Sequence, residues 1–360
     1  MRQRDSRLKR VEVDPASVNV PADDVARVVE DMRAHAGELA PTLNWAGIDS
    51  SAPAQSLSSD TAADVSAAAY EAMTSMQSLL DAWVGNIAMR PVEAAARNRY
   101  EPLLAAFDPL GLWQANVVNP APALRNADLG SILDVDILYA FTAPRDRGVT
   151  RVLELGGGYG RLAEAMLNVF GDSVRYVMID AVPASLCYAR AYLAKACPDI
   201  SIGYFYDGDD IDLDRYQCYI APAWHFTRAP VDVDVCVNVE SFQEMSQEHL
   251  DFYLALFDRV LQPGGLVYSS NARSYAFKGE WRFPSHWRKL LAVDTPRSWT
   301  DDHPSEIFEK TSADYAVPNA LLDAVRLHPL PEDDLRSSLR VSSELVRQSL
   351  AQRLRRLGRS

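Results

Sequence analysis

Positive charge is in short supply in this chain of 360 residues. Its 36 lysines and arginines are outnumbered by 49 aspartates and glutamates, which gives a net charge of −13. A protein whose main partner is the phosphate backbone of a nucleic acid needs a basic surface. The charge balance therefore predicts that nucleic acid is not the partner.

Cysteine pairs and long apolar runs are also missing. The four cysteines form no C-x-x-C pair, which is typical of buried thiols in a reducing compartment; they are Cys187, Cys197, Cys218 and Cys236. The basic N-terminus is not followed by the apolar segment of a signal peptide. No apolar run is long enough to span a membrane. These absences predict a cytoplasmic protein without a membrane span.

What the chain does contain is a glycine-rich turn between an apolar strand pattern and a helical one. The strand pattern covers Val152 to Leu155, and the helical spacing of apolar residues begins at Leu162. In an open α/β sheet such a corner holds a nucleotide-like ligand, because glycines let the ligand approach and the first helical N–H groups face it. The turn residues that we expect to bind a cofactor are Gly156, Gly157, Gly158, Tyr159 and Gly160.

The turn departs from the dinucleotide fingerprint G-x-G-x-x-G. Arg161 stands where the third glycine belongs, and Gly160 comes one residue early. An acid, Glu154, also lies inside the strand. A carboxylate beside the turn attracts a cationic cofactor and repels a diphosphate. The residues therefore favour a cationic nucleotide cofactor over NAD, and so disfavour a dehydrogenase.

A second acid ends the next predicted strand, which runs from Val174 to Asp180. A carboxylate at the end of the second strand of an open α/β sheet accepts both ribose hydroxyls of a nucleotide. Its distance of about 20 residues from the glycine turn suits one helix and one strand. Asp180 is therefore the predicted ribose ligand.

The chain divides into three regions by pattern. Residues 1–145 have mostly helical spacing, residues 146–330 alternate strands with helices, and residues 331–360 form a basic helical tail. The alternation predicts βαβ units around a parallel sheet, which is the α/β fold class. The role of the helical first region stays open between a cap on the sheet, a wall of the acceptor pocket and the interface of a homo-oligomer.

The later strands are predicted unevenly. Residues 200–206 and 218–221 are both candidates for the third strand. Residues 231–240 and 266–271 give the fourth and fifth strands. The strands after residue 275 have no pattern from which they can be placed.

Several segments resemble the class I S-adenosylmethionine-dependent methyltransferases. The glycine turn, with Glu154 in the strand before it, is similar to their first motif, and the turn at residues 262–265 is similar to the one before their fifth strand. The narrower resemblance is to the sugar O-methyltransferase family of bacteria, and it covers residues 150–275 best. It rests on Leu153–Arg161, Tyr176–Asp180, Asn238–Met245 and Gln262–Gly265.

This resemblance implies a Rossmann-like methyltransferase sheet with helices on both faces and S-adenosyl-L-methionine as cofactor. It also implies transfer of a methyl group to a hydroxyl of a sugar or glycosylated small molecule. In that setting Glu154 meets the methionine ammonium group and Asp180 binds the ribose. Asn238 orients the cofactor or the acceptor by hydrogen bonds.

The same chemistry requires a general base, because an alcohol is a poor nucleophile at neutral pH. We expect it near the carboxyl edge of the fourth and fifth strands. Glu244 is the first candidate because it follows the fourth strand closely, His225 and His249 come next, and His303 is an outside candidate. Glu244 or His249 could instead only begin the next helix. No cluster of ligand residues in the sequence predicts a metal site.

Two other functions stay open. The acceptor could be a natural product other than a sugar, or the chain could be a non-catalytic partner protein that keeps the fold. Amino-methylating enzymes of nucleic acids carry Asn/Asp-Pro-Pro-aromatic after the fourth strand, whereas Asn238 is followed here by Val-Glu-Ser. This difference again disfavours a nucleic-acid substrate.

Overall fold

The computed structural model of the chain describes residues 13–35, 94–118, 125–142, 148–206, 211–226, 231–245, 247–272, 283–295 and 303–310. The predicted long helix after Asp60 and the basic tail at residues 331–360 lie outside these ranges. Among the helices that are described, none combines the length and the apolar character needed to cross a membrane.

One mixed sheet forms the centre of the described fold. Its strands are β1 (Thr150–Leu155), β2 (Val174–Asp180), β3 (Ile202–Tyr204), β4 (Cys218–Pro222), β5 (Val233–Val239), β6 (Leu261–Ser270), β7 (Trp287–Asp294) and β8 (Pro304–Lys310). They lie in the order β3-β4-β2-β1-β5-β6-β8-β7. From β3 to β6 all neighbours are parallel, whereas β8 is antiparallel to both β6 and β7.

Helices connect and cover these strands. They are α1 (Ala22–His35), α2 (Ala94–Ala106), α3 (Asn126–Thr142), α4 (Arg161–Phe170), α5 (Pro183–Ala196), α6 (Ala223–Phe226) and α7 (Gln247–Val260). The crossover through α4 leads from β1 to β2 on one side, and the crossover through α7 leads from β5 to β6 on the other. Because such crossovers are right-handed, the two helices cover opposite faces of the sheet.

The apolar composition of the central strands explains why they form the core. β1, β2 and β5 are rich in valine, leucine and isoleucine and are buried along most of their length. Strands that are covered on both faces need such continuous apolar runs. The α/β fold class and the parallel centre of the sheet are thus confirmed.

The N-terminal helices pack on the helices that cover the sheet. α1 contacts α5 and α6, and α3 contacts α4. The helix predicted from Pro21 is present as α1, and the short helix predicted before β1 is the longer α3. The division at residues 145 and 330 into cap, sheet domain and tail stays a prediction.

The structure also completes the strand assignment. Both candidates for the third strand are strands, and they pair with each other as β3 and β4. The strands that the sequence pattern could not place are β7 and β8, which pair with each other and join the sheet beside β6. Their placement depends on pairing across the sheet, which alternation along the chain does not show.

Candidate cofactor and acceptor site

The glycine turn lies where β1 meets α4, at the carboxyl edge of the sheet. The Gly156 N–H donates to the Ile179 carbonyl oxygen at 2.8 Å, which ties the turn to the end of β2. Gly156, Gly158 and Gly160 have φ angles of 76°, 55° and 93°. The strand order reverses direction between β1 and β5, and open α/β sheets bind ligands in the crevice at such a point. The turn therefore borders the expected ligand crevice.

Two of the turn glycines are required by the packing of the chain itself. A Cβ atom on Gly156 would lie 2.2 Å from the Ser241 Oγ atom. A Cβ atom on Gly157 would lie 2.2 Å from the Met178 Cγ atom. Both distances are too short for any side chain. We expected a ligand beside the missing Cβ atoms, but at these two positions the closest neighbours are protein atoms.

Tyr159 lies between the glycines and points into the core. Its side chain is 2% exposed, and its ring meets Tyr192 edge to face with 5.4 Å between the ring centroids. Burial raises the pKa of its hydroxyl well above the usual value. If Tyr159 contacts a cofactor as predicted, its backbone makes the contact.

Asp180 ends β2 beside the turn, as the predicted ribose ligand should. Its Oδ2 atom accepts the Gly158 N–H at 2.8 Å, and its Oδ1 atom accepts the Val182 N–H at 2.8 Å. Burial raises the pKa of Asp180 to about 6, although N–H groups of Val182, Gly158 and Ala181 act to lower it. A carboxylate has about four acceptor positions, so both oxygens retain capacity for ribose hydroxyls.

Glu154 is the second buried carboxylate next to the turn. Its Oε2 atom accepts the Tyr176 hydroxyl at 2.8 Å and lies 3.1 Å from the position of a Cβ atom on Gly157. Burial raises the pKa of Glu154 to about 7, against the lowering effect of the Tyr176 hydrogen bond and of Arg161. A cationic ligand at the turn would favour the ionised form of this side chain.

Asn238 joins the two sides of the crevice. Its Nδ2 atom donates to the Leu155 carbonyl oxygen at 2.9 Å, and its Oδ1 atom accepts the Phe242 N–H at 2.8 Å. The Asn271 Nδ2 atom donates to the same Oδ1 atom at 3.1 Å. The Asn238 side chain is fully buried. These bonds give it a positioning role between β1, β5 and the end of β6.

Glu240 and His303 form a pair at the end of β5. Glu240 has a φ angle of 59°, in the left-handed region, and its N–H donates to the Ser270 carbonyl oxygen at 2.8 Å. The His303 Nε2 atom lies 3.7 Å from its Oε1 atom. The Glu240 side chain is 25% exposed, while His303 is fully buried behind it. Such backbone strain costs about 1–3 kcal/mol and is concentrated at functional sites.

A buried hydrogen-bonded chain runs from this pair back to the glycine turn. The Ser270 Oγ atom contacts His303 Nδ1 at 3.3 Å and Ser305 Oγ at 2.8 Å. The Tyr268 hydroxyl lies 3.2 Å from Ser305 Oγ and donates to Asp134 Oδ1 at 2.6 Å. Asp134 in turn pairs with Arg161, the first residue of α4, at 3.2 Å. These contacts therefore link the end of β5 to the start of α4.

The predicted catalytic residues do not come together. Glu244 ends the 3₁₀ helix Phe242–Glu244 after β5, and His249 lies in the first turn of α7. His225 lies in α6 at the end of β4, with β2 and β1 between it and β5, and its Nε2 atom is 2.7 Å from the Asp31 Oδ2 atom. Catalytic roles for Glu244, His249 and His225 all stay predictions, and the structure places His225 away from the end of β5.

Two members of the site were missed or ranked low in the sequence. Glu240 is the last residue of the predicted fourth strand, and its place at a strand end was the available signal. His303 precedes β8, a strand that no sequence pattern placed, so no signal connected it with Glu240. Only pairing of β8 with β6 brings the two side chains together.

Comparison with known proteins finds similarity to solved structures alone. No protein-family model and no curated protein matches the chain. TrmN from Thermus thermophilus has 20% sequence identity and a TM-score of 0.35, with 52% of each chain covered. The chain thus spans about half the length of TrmN.

Two further solved structures are methyltransferases. A SAM-dependent methyltransferase from Aquifex aeolicus has 16% identity and a TM-score of 0.33, with 52% of this chain and 100% of that chain covered. The CurJ carbon methyltransferase has 11% identity and a TM-score of 0.35, with 66% of this chain and 70% of that chain covered. At these values no residue role transfers from these proteins to this chain.

Proposed function

We propose that this protein is an S-adenosylmethionine-dependent methyltransferase that methylates a hydroxyl of a small molecule, with a sugar or glycoside as the acceptor class. The observation that carries the proposal is the corner at the β1–β5 switch point. There a glycine turn lies between two buried carboxylates, Glu154 and Asp180. This combination of groups suits a cofactor that has both a ribose and positive charge.

The residues present fit that cofactor. Asp180 is held by two backbone N–H groups and retains acceptor capacity on both oxygens for the ribose hydroxyls. Glu154 supplies negative charge for the ammonium group of the methionine part. When bound, the cofactor supplies an electrophilic methyl group on a sulfonium. The carboxylates then orient it, and orientation of this kind accounts for much of the rate in a displacement reaction.

The acceptor half of the proposal rests on Glu240. Its carboxylate is the partly exposed member of a buried polar group at the end of β5, next to the glycine turn. We assign it as the general base, which would take the proton from the acceptor hydroxyl as that oxygen bonds to the methyl carbon and the carbon–sulfur bond breaks, with the thioether as leaving group. His303 acts through Glu240 as a positioning residue, because it is fully buried and contacts Ser270 on its other nitrogen.

A polar acceptor agrees with the groups around Glu240. The end of β5 and the end of β6 carry Ser241, Gln243 and Asn271, all of them buried. Gln243 and Asn271 hydrogen bond to backbone groups there, which fixes the shape of this edge. An edge built from hydroxyl and amide groups suits a hydroxyl-rich ligand such as a sugar, and the resemblance to sugar O-methyltransferases points the same way.

Calorimetric titration with S-adenosylmethionine and S-adenosylhomocysteine tests the cofactor half directly. The full chain, Asp180→Ala and Asp180→Asn should be compared. Hydrogen bonds to a charged group contribute about 1.5–3 kcal/mol, so we expect Asp180→Ala to weaken binding by about 10- to 100-fold. Asp180→Asn keeps one oxygen that can accept a backbone N–H of the turn. Comparison of the two variants therefore separates loss of the ribose contact from collapse of the turn.

Asp234→Asn is the matched control. Asp234 also accepts a backbone N–H, that of Arg151 at 2.8 Å, but it lies at the opposite, amino edge of the sheet. Its substitution should leave cofactor affinity unchanged. Absence of binding by folded wild-type protein, with and without candidate acceptors, would overturn the methyltransferase proposal. Binding without turnover on any hydroxyl acceptor would instead support the non-catalytic partner protein.

A further inference from the structure

We propose that Asp31, His35 and His225 form a binding site for a divalent transition-metal ion of the Zn²⁺ type. One ligand atom from each of the three side chains lies within 4.8 Å of the others. Two imidazoles and one carboxylate are a recurrent ligand set for such ions, with the remaining coordination positions open. This inference does not depend on the proposed methyltransferase activity.

Two separate parts of the chain bring the ligands together. Asp31 and His35 are four residues apart in α1, a spacing that places both on one face of a helix. His225 lies in α6, immediately after β4. The packing of α1 against α6 therefore builds the cluster, and no sequence motif announces it. For this reason no metal site was predicted from the sequence.

Both histidines lie within hydrogen-bonding distance of the Asp31 carboxylate. The His225 Nε2 atom is 2.7 Å from Asp31 Oδ2, and the His35 Nδ1 atom is 3.0 Å from Asp31 Oδ1. In a tetrahedral zinc site with bonds of about 2.0–2.1 Å, neighbouring ligand atoms are about 3.3 Å apart. The two histidines contact different oxygens of Asp31, and one ligand atom from each side chain lies within 4.8 Å of the others. A bound ion therefore requires the outer ligand atoms to approach one another by up to about 1.5 Å, a movement that side-chain rotation supplies.

The surroundings orient the ligands. The Trp224 Nε1–H donates to the Asp31 Oδ2 atom at 2.6 Å, and Trp224 is itself buried. The Phe205 ring lies 5.3 Å from the His225 ring, centroid to centroid. Hydrogen bonds from outside the ligand set are typical of metal sites, where they fix the direction of the ligating atoms. The Trp224 hydrogen bond thus fixes the same Asp31 Oδ2 atom that contacts His225.

A second aspartate in the chain provides an internal contrast. Asp258 accepts hydrogen bonds from His286 and Trp287, both at 2.8 Å, so it repeats the aspartate, histidine and tryptophan of the Asp31 cluster. Its third neighbour is the Lys310 ammonium group, 3.7 Å away, in place of a second histidine. A lysine cation opposes binding of a metal cation. Of these two clusters, only the one at Asp31 therefore has a third side chain that can bind a metal ion.

The donor set selects the class of ion. Imidazole nitrogens suit Zn²⁺, Fe²⁺ and Ni²⁺, whereas Mg²⁺ prefers oxygen ligands and octahedral geometry. The side chains of Asp31, His225 and His35 are 14%, 31% and 41% exposed, so the ion can enter from solvent. We expect the bound ion to connect α1 with the end of β4 and so to stabilise the fold.

The test is titration of the full-length chain with ZnCl₂ and, separately, with MgCl₂, followed by calorimetry and by thermal unfolding. We expect one Zn²⁺ ion per chain, a rise in unfolding temperature with Zn²⁺, and no response to Mg²⁺. His35→Gln removes a ligand that is half-exposed, so the variant should fold, and it should weaken Zn²⁺ binding by at least about tenfold. His225→Gln should do the same.

His286→Gln is the matched control, because it removes the histidine of the Asp258 cluster. It should bind Zn²⁺ like the wild-type chain. The proposal is overturned if the wild-type chain fails to bind Zn²⁺, if His35→Gln binds it unchanged, or if His286→Gln loses binding as strongly as His35→Gln. An equal response to Mg²⁺ would also overturn it, since it would indicate a site built from oxygen atoms.

Discussion

The two halves of the sheet on either side of the β1–β5 switch point hold their functional side chains in different ways. The cofactor half is the side of the sheet that contains β1, β2 and the glycine turn. There the Asp180 carboxylate accepts backbone N–H groups of Gly158 and Val182, and Val182 is only two residues away in the sequence. The acceptor half is the side that contains β5, β6 and β8. There Glu240 directly follows β5 and His303 directly precedes β8, so the two are distant in sequence, and His303 contacts a side chain of β6.

This difference has a physical consequence for function. Backbone groups are fixed by the fold, so the cofactor half is rigid as soon as β1, β2 and the turn have formed. Side-chain networks have more alternatives, and each member depends on the others being satisfied. We therefore expect substitutions in the cofactor half to change binding affinity and substitutions in the acceptor half to change turnover.

The largest expected effect is on turnover in the acceptor half. Removal of a general base typically costs about 10²–10⁴-fold in rate, so Glu240→Gln should lower kcat by about that range once an acceptor is known. His303→Asn should lower kcat less and shift the pH profile of kcat, because it acts through Glu240. Cofactor affinity, measured by calorimetry in both variants, should stay within about threefold of the wild-type value.

Glu244→Gln is the informative comparison for this experiment. Glu244 was the first candidate for the base in the sequence, and it ends the 3₁₀ helix that follows β5. A large loss of kcat in Glu244→Gln with an unchanged Glu240→Gln would transfer the role of base to Glu244. A matching loss of cofactor affinity in Glu240→Gln would break the distinction between the two halves.

The sequence predicts the cofactor half of the site but not the acceptor half. The strand–turn–helix corner and Asp180 are set by local patterns, so the sequence predicted their placement beside one another. Glu240 and His303 depend on β8 pairing antiparallel to β6, a contact that no periodicity encodes. His225 lies beside Asp31, a partner 194 residues away in the sequence, and no local pattern showed this contact. Local motifs are predictable from sequence, whereas side chains joined by distant pairing are not.

The next largest effect, on stability, is expected at Asp136, a buried carboxylate that neither backbone N–H groups nor side chains in the described part of the chain hold in place. Asp136 in α3 is fully buried, and neither of its oxygens forms a hydrogen bond to another described residue. Burial, with Asp108 nearby, raises its pKa to about 8, and the Leu110 N–H opposes this rise although it forms no regular hydrogen bond with either oxygen. Ionisation therefore opposes folding, and this cost grows as the pH rises from about 4 to 8.

Asp136→Asn removes that cost while keeping the size of the side chain. At pH 8 it should raise the free energy of unfolding by on the order of 1–3 kcal/mol, and at pH 5 the gain should largely vanish. Urea titration at the two pH values measures the difference. Equal effects at both pH values, or destabilisation at pH 8, would show that Asp136 is supported by a contact outside the described residues.

The pH dependence of cofactor binding should be smaller. Burial raises the pKa of Asp180 to about 6 and that of Glu154 to about 7. In the proposed site both side chains bind the cofactor in their ionised forms. Affinity should therefore be highest above pH 7 and fall as the pH drops through 7 and 6, by about tenfold at pH 5 for Asp180 alone. Titrations from pH 8 to 5 measure this fall.

Asp180→Asn should flatten the lower part of that profile, because it leaves Glu154 as the titrating group. Glu154→Gln should flatten the upper part. If both variants keep the wild-type profile, then the two carboxylates are not the groups that sense the cofactor, and the backbone-held half of the site loses its assigned role.

The smallest effect is expected where charges meet at the surface. Burial opposes ionisation of Asp258, but hydrogen bonds from His286 and Trp287 and the nearby Lys310 outweigh it and lower its pKa. The resulting stability is present above the ordinary aspartate pKa of about 3.9 and is lost as the pH falls through the lowered value. Because the Asp258 and His286 side chains are both partly exposed, His286→Gln should cost no more than about 1 kcal/mol in urea unfolding at pH 7, in the presence or absence of Zn²⁺. Without Zn²⁺, His35→Gln should cost as little stability as His286→Gln, and with Zn²⁺ added it should cost more. If His35→Gln costs more even without the ion, the extra cost comes from the contacts of His35 in α1 and not from metal binding.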